Sequence, residues 1–221
     1  MDTLNTPLGD LARTHPSYTQ VFLRHRLDFC CGGRRTLDEA CAIAGLDARV
    51  IEDELAALEA GPDEAASWEA RPLSDLADHI EHHFHAGLRR DLPPLVEAAR
   101  KIERVHHGKP SVPIGLGDRL ESFWTEMQSH MRKEEMVLFP MIRRGARGEA
   151  VFMPVSMLEH EHDTHRDHLV AIRDLTDDLR VPAHGCATWT ALYRGLGKME
   201  EDLMEHIHLE NNVLFLRAAR G

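Results

Sequence analysis

The chain has 221 residues, 43% of them hydrophobic and 29% charged, which fits one large globular domain or a core domain with a smaller companion. A formal net charge of -11 argues against a nucleic-acid binder, because phosphate contacts need clustered Lys and Arg, and no stretch approaches the ~20 apolar residues that span a bilayer. The four cysteines, Cys30, Cys31, Cys41 and Cys186, form no regular disulfide framework, and no basic start followed by an apolar core opens the chain; the expectation is a cytoplasmic protein with reduced thiols.

Residues 1–60 read as a small helical N-terminal domain. Pro7, Pro16 and the Cys30-Cys31-Gly32-Gly33 corner cut it into short segments. Thr36 and Asp47 have the character of N-caps for two short helices, the second carrying Val50, Ile51, Leu55 and Leu58. Gly61-Pro62-Asp63 then opens a polar linker.

From residue 73 to residue 221 four long helical patterns follow. Gly108, Pro110, Pro113 and Gly115 separate the first two, Gly145, Gly148 and Pro154 surround the second break, and Pro182 and Gly185 mark the third. Strand-like alternation is absent. The predicted fold is all-α: an antiparallel up-down four-helix bundle behind the small N-terminal domain.

Within these helices polar residues occupy core positions. In the second, Leu116, Leu120, Phe123, Met127, His130, Glu134, Val137 and Met141 keep a 4-3 spacing. In the fourth, Leu192, Leu196, Met199, Leu203, His206, Glu210 and Val213 do the same. In the third, Val155, Leu158, His162, His165, Leu169 and Ile172 alternate 3-4. Such spacing marks the seam that faces a bundle core. The first helix has a later seam, Leu88, Leu92, Leu95, Ala99 and Ile102, and an earlier stripe, Leu73, Ala77, Ile80 and Phe84. His85 continues the later seam, yet lies roughly 80° from the mean apolar direction at ~100° per residue.

An internal repeat links the helices in pairs. His130-x3-Glu134 is followed by Val137-Leu138-Phe139, and His206-x3-Glu210 by Val213-Leu214-Phe215. The step from His85 to His130 is 45 residues and from His162 to His206 is 44. Two helix pairs about an approximate two-fold axis would each bring two imidazoles and one carboxylate to the middle. Residues four apart share a helix face, so each motif aims both its donors at one spot. Six such donors exceed what one tetrahedral zinc takes, and carboxylate with imidazole in a helix bundle is the setting of di-iron and di-manganese centres. The candidate ligands are therefore His85, His130, Glu134, His162, His206 and Glu210. His165 shares the third seam and competes with His162. His160, His168 and His208 are expected in solvent or behind the ligands. Glu126, four residues before His130, and Glu161, beside His162, are candidates to orient a ligand or move a proton.

The combination of Asp28-Phe-Cys-Cys-Gly-Gly33, Ser129-His-Met-Arg-Lys-Glu-Glu135, Glu161-His-Asp163 and His206-Ile-His-Leu-Glu-Asn-Asn-Val-Leu-Phe215 resembles a known family. The bundle is similar to hemerythrin-like domains, and essentially the whole length is similar to the repair-of-iron-centres proteins, which restore iron-sulfur clusters damaged by nitric oxide or oxidants. The resemblance implies two non-haem iron ions on the six ligands, joined by an oxo or hydroxo group, with Glu134 and Glu210 as bridging carboxylates. It also implies damaged iron-sulfur proteins as partners, nitric oxide or oxygen as small ligands, and a homodimer. Oxygen-carrying hemerythrins have a further His where this chain has Arg166, and an H-x4-D motif where it has H-x3-E, so the resemblance to carriers is weaker. Three functions follow in order: cluster repair by supplying iron, nitric oxide reduction at the two irons, and oxygen binding or sensing.

Cys30 and Cys31 complete the list of candidate functional residues. Adjacent cysteines rarely bond to each other, Gly32-Gly33 allows an unusual turn, and Arg34 and Arg35 are placed to lower a thiol pKa, so a redox, nitrosyl or metal-relay role is expected. Cys41 and Cys186 read as core or incidental residues.

Overall fold

The computed structural model of the chain describes residues 2–59 and 68–220, and the expected Gly61-Pro62-Asp63 linker lies outside the described residues. Among them the fold is helical throughout, with one isolated bridge between Pro7 and Thr36. Four short helices come first: α1 (Leu8–Thr14), α2 (Thr19–His25), α3 (Leu37–Ala44) and α4 (Ala48–Glu59). The start of α3 is fixed by Thr36, whose hydroxyl accepts the Glu39 N–H while the Glu39 carboxylate accepts the Thr36 N–H, a reciprocal capping box. Asp47 caps α4 by accepting the Arg49 N–H at 2.9 Å. Ile51 and Leu55 of α4 point inward as expected, whereas Val50 is exposed.

Four long helices follow: α5 (residues 73–105), α6 (residues 116–143), α7 (Glu149–Leu175) and α8 (residues 187–219). Packing runs α5 on α6, α6 on α7, α8 on α5, and the end of α8 on α7, which closes an up-down four-helix bundle. Pro154, expected at the break before the third long helix, lies inside α7 near its N-terminal end. There its missing N–H costs one backbone hydrogen bond and leaves the helix continuous.

The bundle core is divided in two. One apolar cluster is built around Leu92, Leu120, Phe123, Trp189 and Leu203, the other around Leu76, Ile80, Phe139, Val151 and Phe215. His85, His130, Glu134, His162, His206 and Glu210 lie between these clusters, each 0–1% exposed. A third cluster, around Phe22, Phe29, Leu37 and Leu55, holds the N-terminal helices together; Met204 packs on both it and the bundle, and Cys30 joins the bundle cluster itself.

Candidate metal centre

Three of the four bundle helices widen into a π-helical turn where a candidate ligand sits. The wide turns are Ile80–His85 in α5, Glu134–Leu138 in α6 and Leu209–Leu214 in α8. A π turn inserts about one extra residue and so rotates everything beyond it by about 100°. This resolves the angular mismatch of His85, because the wide turn buries both Phe84 and His85 before α5 continues through Leu88 and Leu92. It also corrects the seams read from spacing. Beyond Glu134 the core residues are Leu138, Phe139 and Ile142, while Val137 is 47% exposed and Met141 only half-buried. In α5 the buried position is Val96 rather than Leu95.

The six side chains meet as two imidazole pairs with a carboxylate across each side. His85 Nε2 lies 3.3 Å from His206 Nε2, and His162 Nε2 lies 3.1 Å from His130 Nε2. Glu134 Oε2 is 3.3 Å from His85 Nε2 and 3.5 Å from His130 Nε2. Glu210 places Oε1 2.8 Å from His206 Nε2 and Oε2 3.1 Å from His162 Nε2. Each carboxylate thus touches one imidazole from each pair. Burial, and then the facing Glu210, push the Glu134 carboxyl well above its ordinary range; burial would raise Glu210 as well, but His206 and His162 hold it well below.

This donor set fits metal cations. Donor atoms of His85, Glu134, His206 and Glu210 all lie within 4.8 Å of one another, as do those of His130, His162 and Glu210. Both Glu134 oxygens and Glu210 Oε2 are buried without a hydrogen bond. Carboxylates left so in an apolar core cost several kcal/mol each unless a cation accepts their lone pairs.

The outer ring nitrogens show how the imidazoles are aimed. His85 Nδ1–H donates to Glu135 at 2.7 Å, and Arg89 grips the same carboxylate at 2.8 and 2.9 Å. His130 Nδ1–H donates to Glu161 at 3.0 Å, a carboxylate that also pairs with Lys133. His162 Nδ1–H donates to Asn211 Oδ1 at 2.8 Å. A proton held on Nδ1 leaves the Nε2 lone pair facing the centre, the tautomer a metal needs. Glu135 and Asn211 escaped the sequence reading; each is the residue directly after a motif glutamate, and that shared offset was the available signal. The repeat's phenylalanines have the same logic: Phe139 stacks on His85 at 5.7 Å between centroids and Phe215 on His162 at 5.9 Å.

The remaining candidates divide. Glu161 reaches His130, whose hydrogen bond, with that of Lys133, holds the carboxyl down at about 2. Glu126 contacts none of the six and meets His168 Nε2 at 3.1 Å instead. His165 is buried edge-on against His130 with centroids 4.8 Å apart, outside both donor groups. Of the three histidines expected in solvent or behind the ligands, His160 is exposed, whereas His168 and His208 are buried. Burial lowers His130 and His208 to about 4, against an ordinary value of 6.5. The unfolded chain therefore takes up protons that the folded one refuses, and stability present above about pH 6.5 is lost as the pH falls towards 4. The urea midpoint of metal-free protein is expected to drop through that window; a flat profile between about pH 7 and about pH 5 would contradict neutral buried imidazoles.

Cys30 and Cys31 are free thiols where the N-terminal helices meet the bundle. Cys31 Sγ lies 3.5 Å from the His162 carbonyl oxygen, and Cys30 Sγ lies 3.3 Å from Asp28 Oδ1. The expected thiol activation by Arg34 and Arg35 is not what the structure shows for Cys30: its contact with Cys31, its burial and the nearby Asp28 all push that thiol up. Gly32 and Gly33 shape the corner without a positive φ. They permit close approach: a Cβ on Gly33 would stand 2.5 Å from the Phe29 carbonyl oxygen. Across this junction Asn211 Nδ2 donates to the Cys30 carbonyl at 3.3 Å and Asn212 Nδ2 to the Phe29 carbonyl at 3.1 Å. Cys41 is buried in the N-terminal core, and Cys186 lies half-buried beside His106.

Comparisons with known proteins match the bundle and the N-terminal helices to two separate families. Residues 76–218 match the family described as Hemerythrin HHE cation binding domain, and residues 4–59 match one described as Domain of Unknown function (DUF542). Curated relatives named "Iron-sulfur cluster repair protein YtfE" include one from Musicola paradisiaca, 46% identical over 97% of this chain and 96% of the relative. One from Escherichia coli O157:H7 is 46% identical over 97% of both chains, and one from Yersinia pseudotuberculosis is 44% identical over the full length of both.

Proposed function

The chain belongs to the family of the YtfE iron-sulfur cluster repair proteins, and on that premise we propose that it repairs clusters damaged by nitrosative or oxidative stress by supplying iron from a pair of non-haem iron ions. The observation that carries this reading is the buried layer of four imidazoles and two carboxylates between two apolar clusters. In it His85 and His206 would hold one ion and His130 and His162 the other, with Glu134 and Glu210 as the carboxylates within reach of both pairs. Iron bound there supplies exchangeable metal and a place for nitric oxide or oxygen to coordinate.

The protein's own groups do the rest. Glu135, Glu161 and Asn211 hold imidazole protons on Nδ1. The apolar clusters above and below keep water from the carboxylates. Cys30 and Cys31 act on the His162 side, where they line a pocket of about 520 Å³. Reduction of nitric oxide at the centre would need a proton brought to it. Glu161 is engaged by His130 and Lys133, and Glu126 by His168, so supply of iron ranks ahead of that enzymatic reading. Damaged iron-sulfur proteins are the partners, and a cytoplasmic homodimer is the working form; no helix among the described residues is long and apolar enough to cross a membrane.

The test is metal content after purification without oxygen, with iron, manganese and zinc counted per chain and a Mössbauer spectrum recorded. Two irons per chain with a coupled spectrum, and recovery of a nitric-oxide-damaged cluster on adding the loaded protein, are expected. A single zinc ion per chain would sink the dinuclear reading.

A further inference from the structure

We infer that the two metal positions are unequal, and that the ion at His85 and His206 is the one released first. The inference rests on the two-ion reading above and deepens it.

The two halves of the centre follow the two-fold repeat, and their outer hydrogen bonds part at one place. The residue before His162 is Glu161, which reaches across to His130; the residue before His85 is Phe84, which reaches across to His206. Glu161 accepts the His130 Nδ1–H, whereas Phe84 lies flat on His206, with ring centroids 5.4 Å apart and planes 7° from parallel. His206 Nδ1 is buried and has no hydrogen-bond partner. Two positions do correspond: Phe139 matches Phe215, and Glu135, an acceptor for His85, matches Asn211, an acceptor for His162. The position formed by His130 and His162 therefore has both imidazoles held through Nδ1. The position formed by His85 and His206 has one.

An imidazole whose outer N–H is held by an acceptor is a better donor and stays in the metal-binding tautomer. Without that acceptor the proton can move to Nε2, the atom that faces the ion. Outer partners of this kind are worth about 10–100-fold in metal affinity.

The routes out of the centre differ in the same sense. Phe84 also forms a wall of a surface pocket of about 420 Å³, with His82, His83, Asp91 and Asp202 around it. No side-chain hydrogen bond restrains a phenyl ring, so moving it aside breaks none. The pocket of about 520 Å³ on the opposite side is walled by Asn211. Both ends of that amide are engaged, Oδ1 by His162 and Nδ2 by the Cys30 carbonyl. Weaker hold and easier exit fall on the same position.

The full chain, loaded anaerobically with ferrous ions, is mixed with excess of a chromophoric ferrous chelator and the transfer is followed by absorbance. Two phases of equal amplitude are expected, separated by about 10–100-fold in rate. Glu135→Gln is expected to speed the fast phase alone and Glu161→Gln the slow phase alone, with circular dichroism unchanged in both. A single rate for both ions, or a faster fast phase in Glu161→Gln, would overturn the inference while leaving the two-ion reading intact. Uptake of one ion or none would overturn both.

Discussion

Replacing Glu134 and Glu210 together by leucine is expected to abolish paired metal binding while leaving the bundle helical, and to raise the melting temperature of the metal-free protein. The two carboxylates are fully buried in a layer with an apolar cluster on each side. Each approaches one imidazole of either pair, so losing both removes the donors that the two proposed positions share. Stability should move the other way. Glu134 has both oxygens buried and without a hydrogen bond, and its ionisation is opposed by Glu210. A buried polar group left without a hydrogen bond costs about 1–3 kcal/mol, and leucine at Glu134 removes that penalty. For a chain of this length each kcal/mol moves the midpoint by about 2–4 °C. The readouts are metal per chain, circular dichroism and calorimetry without metal. A double variant that still binds two irons would show that the carboxylates are not the bridges.

Spacing alone recovered the four helices, the paired H-x3-E motifs and the burial of His162, because a 4-3 or 3-4 pattern reports faithfully on a regular helix. It failed where the helix is not regular. Val137 and Met141 fit an unbroken seam, but the wide turn starting at Glu134 hands the core to Leu138 and Ile142. The angular misfit of His85 was the same effect seen from sequence, one extra residue in the turn ending there. A π turn leaves no fixed composition, so such phase slips are its main trace. Glu135 and Asn211 were hidden for another reason. They act across to the preceding helix, and adjacency in the chain does not reveal a partner 50 or 49 residues away. The cysteine corner was legible as a tight site, but its chemistry depended on which charges face the thiols. Asp28 faces Cys30, on the strength of a turn that the residue types alone do not determine.

That corner also makes the second large prediction, because it ties the N-terminal helices to the candidate metal centre. Gly33 receives the Gly9 N–H on its carbonyl at 2.9 Å, and a Cβ there would meet the Phe29 oxygen at 2.5 Å and Asn212 Oδ1 at 3.2 Å. Gly33→Val therefore forces the corner away from Asn212, at a cost of about 1–3 kcal/mol for overpacking. The displacement should not stop at the surface. Phe29 and Cys30 accept hydrogen bonds from Asn212 and Asn211, and Asn211 is what holds the His162 proton. Hydrogen exchange should rise across residues 8–58, and the slower iron-release phase should quicken. Gly45→Ala separates the two consequences. Gly45 has φ +69°, and a Cβ there would meet nothing within 4 Å, so alanine strains only the local backbone, by about 1–2 kcal/mol. It should loosen the same helices and leave iron release unchanged. If Gly33→Val frees the N-terminal helices and release still keeps its two rates, the asparagine relay does not support His162, and the corner serves only to dock one set of helices on the other.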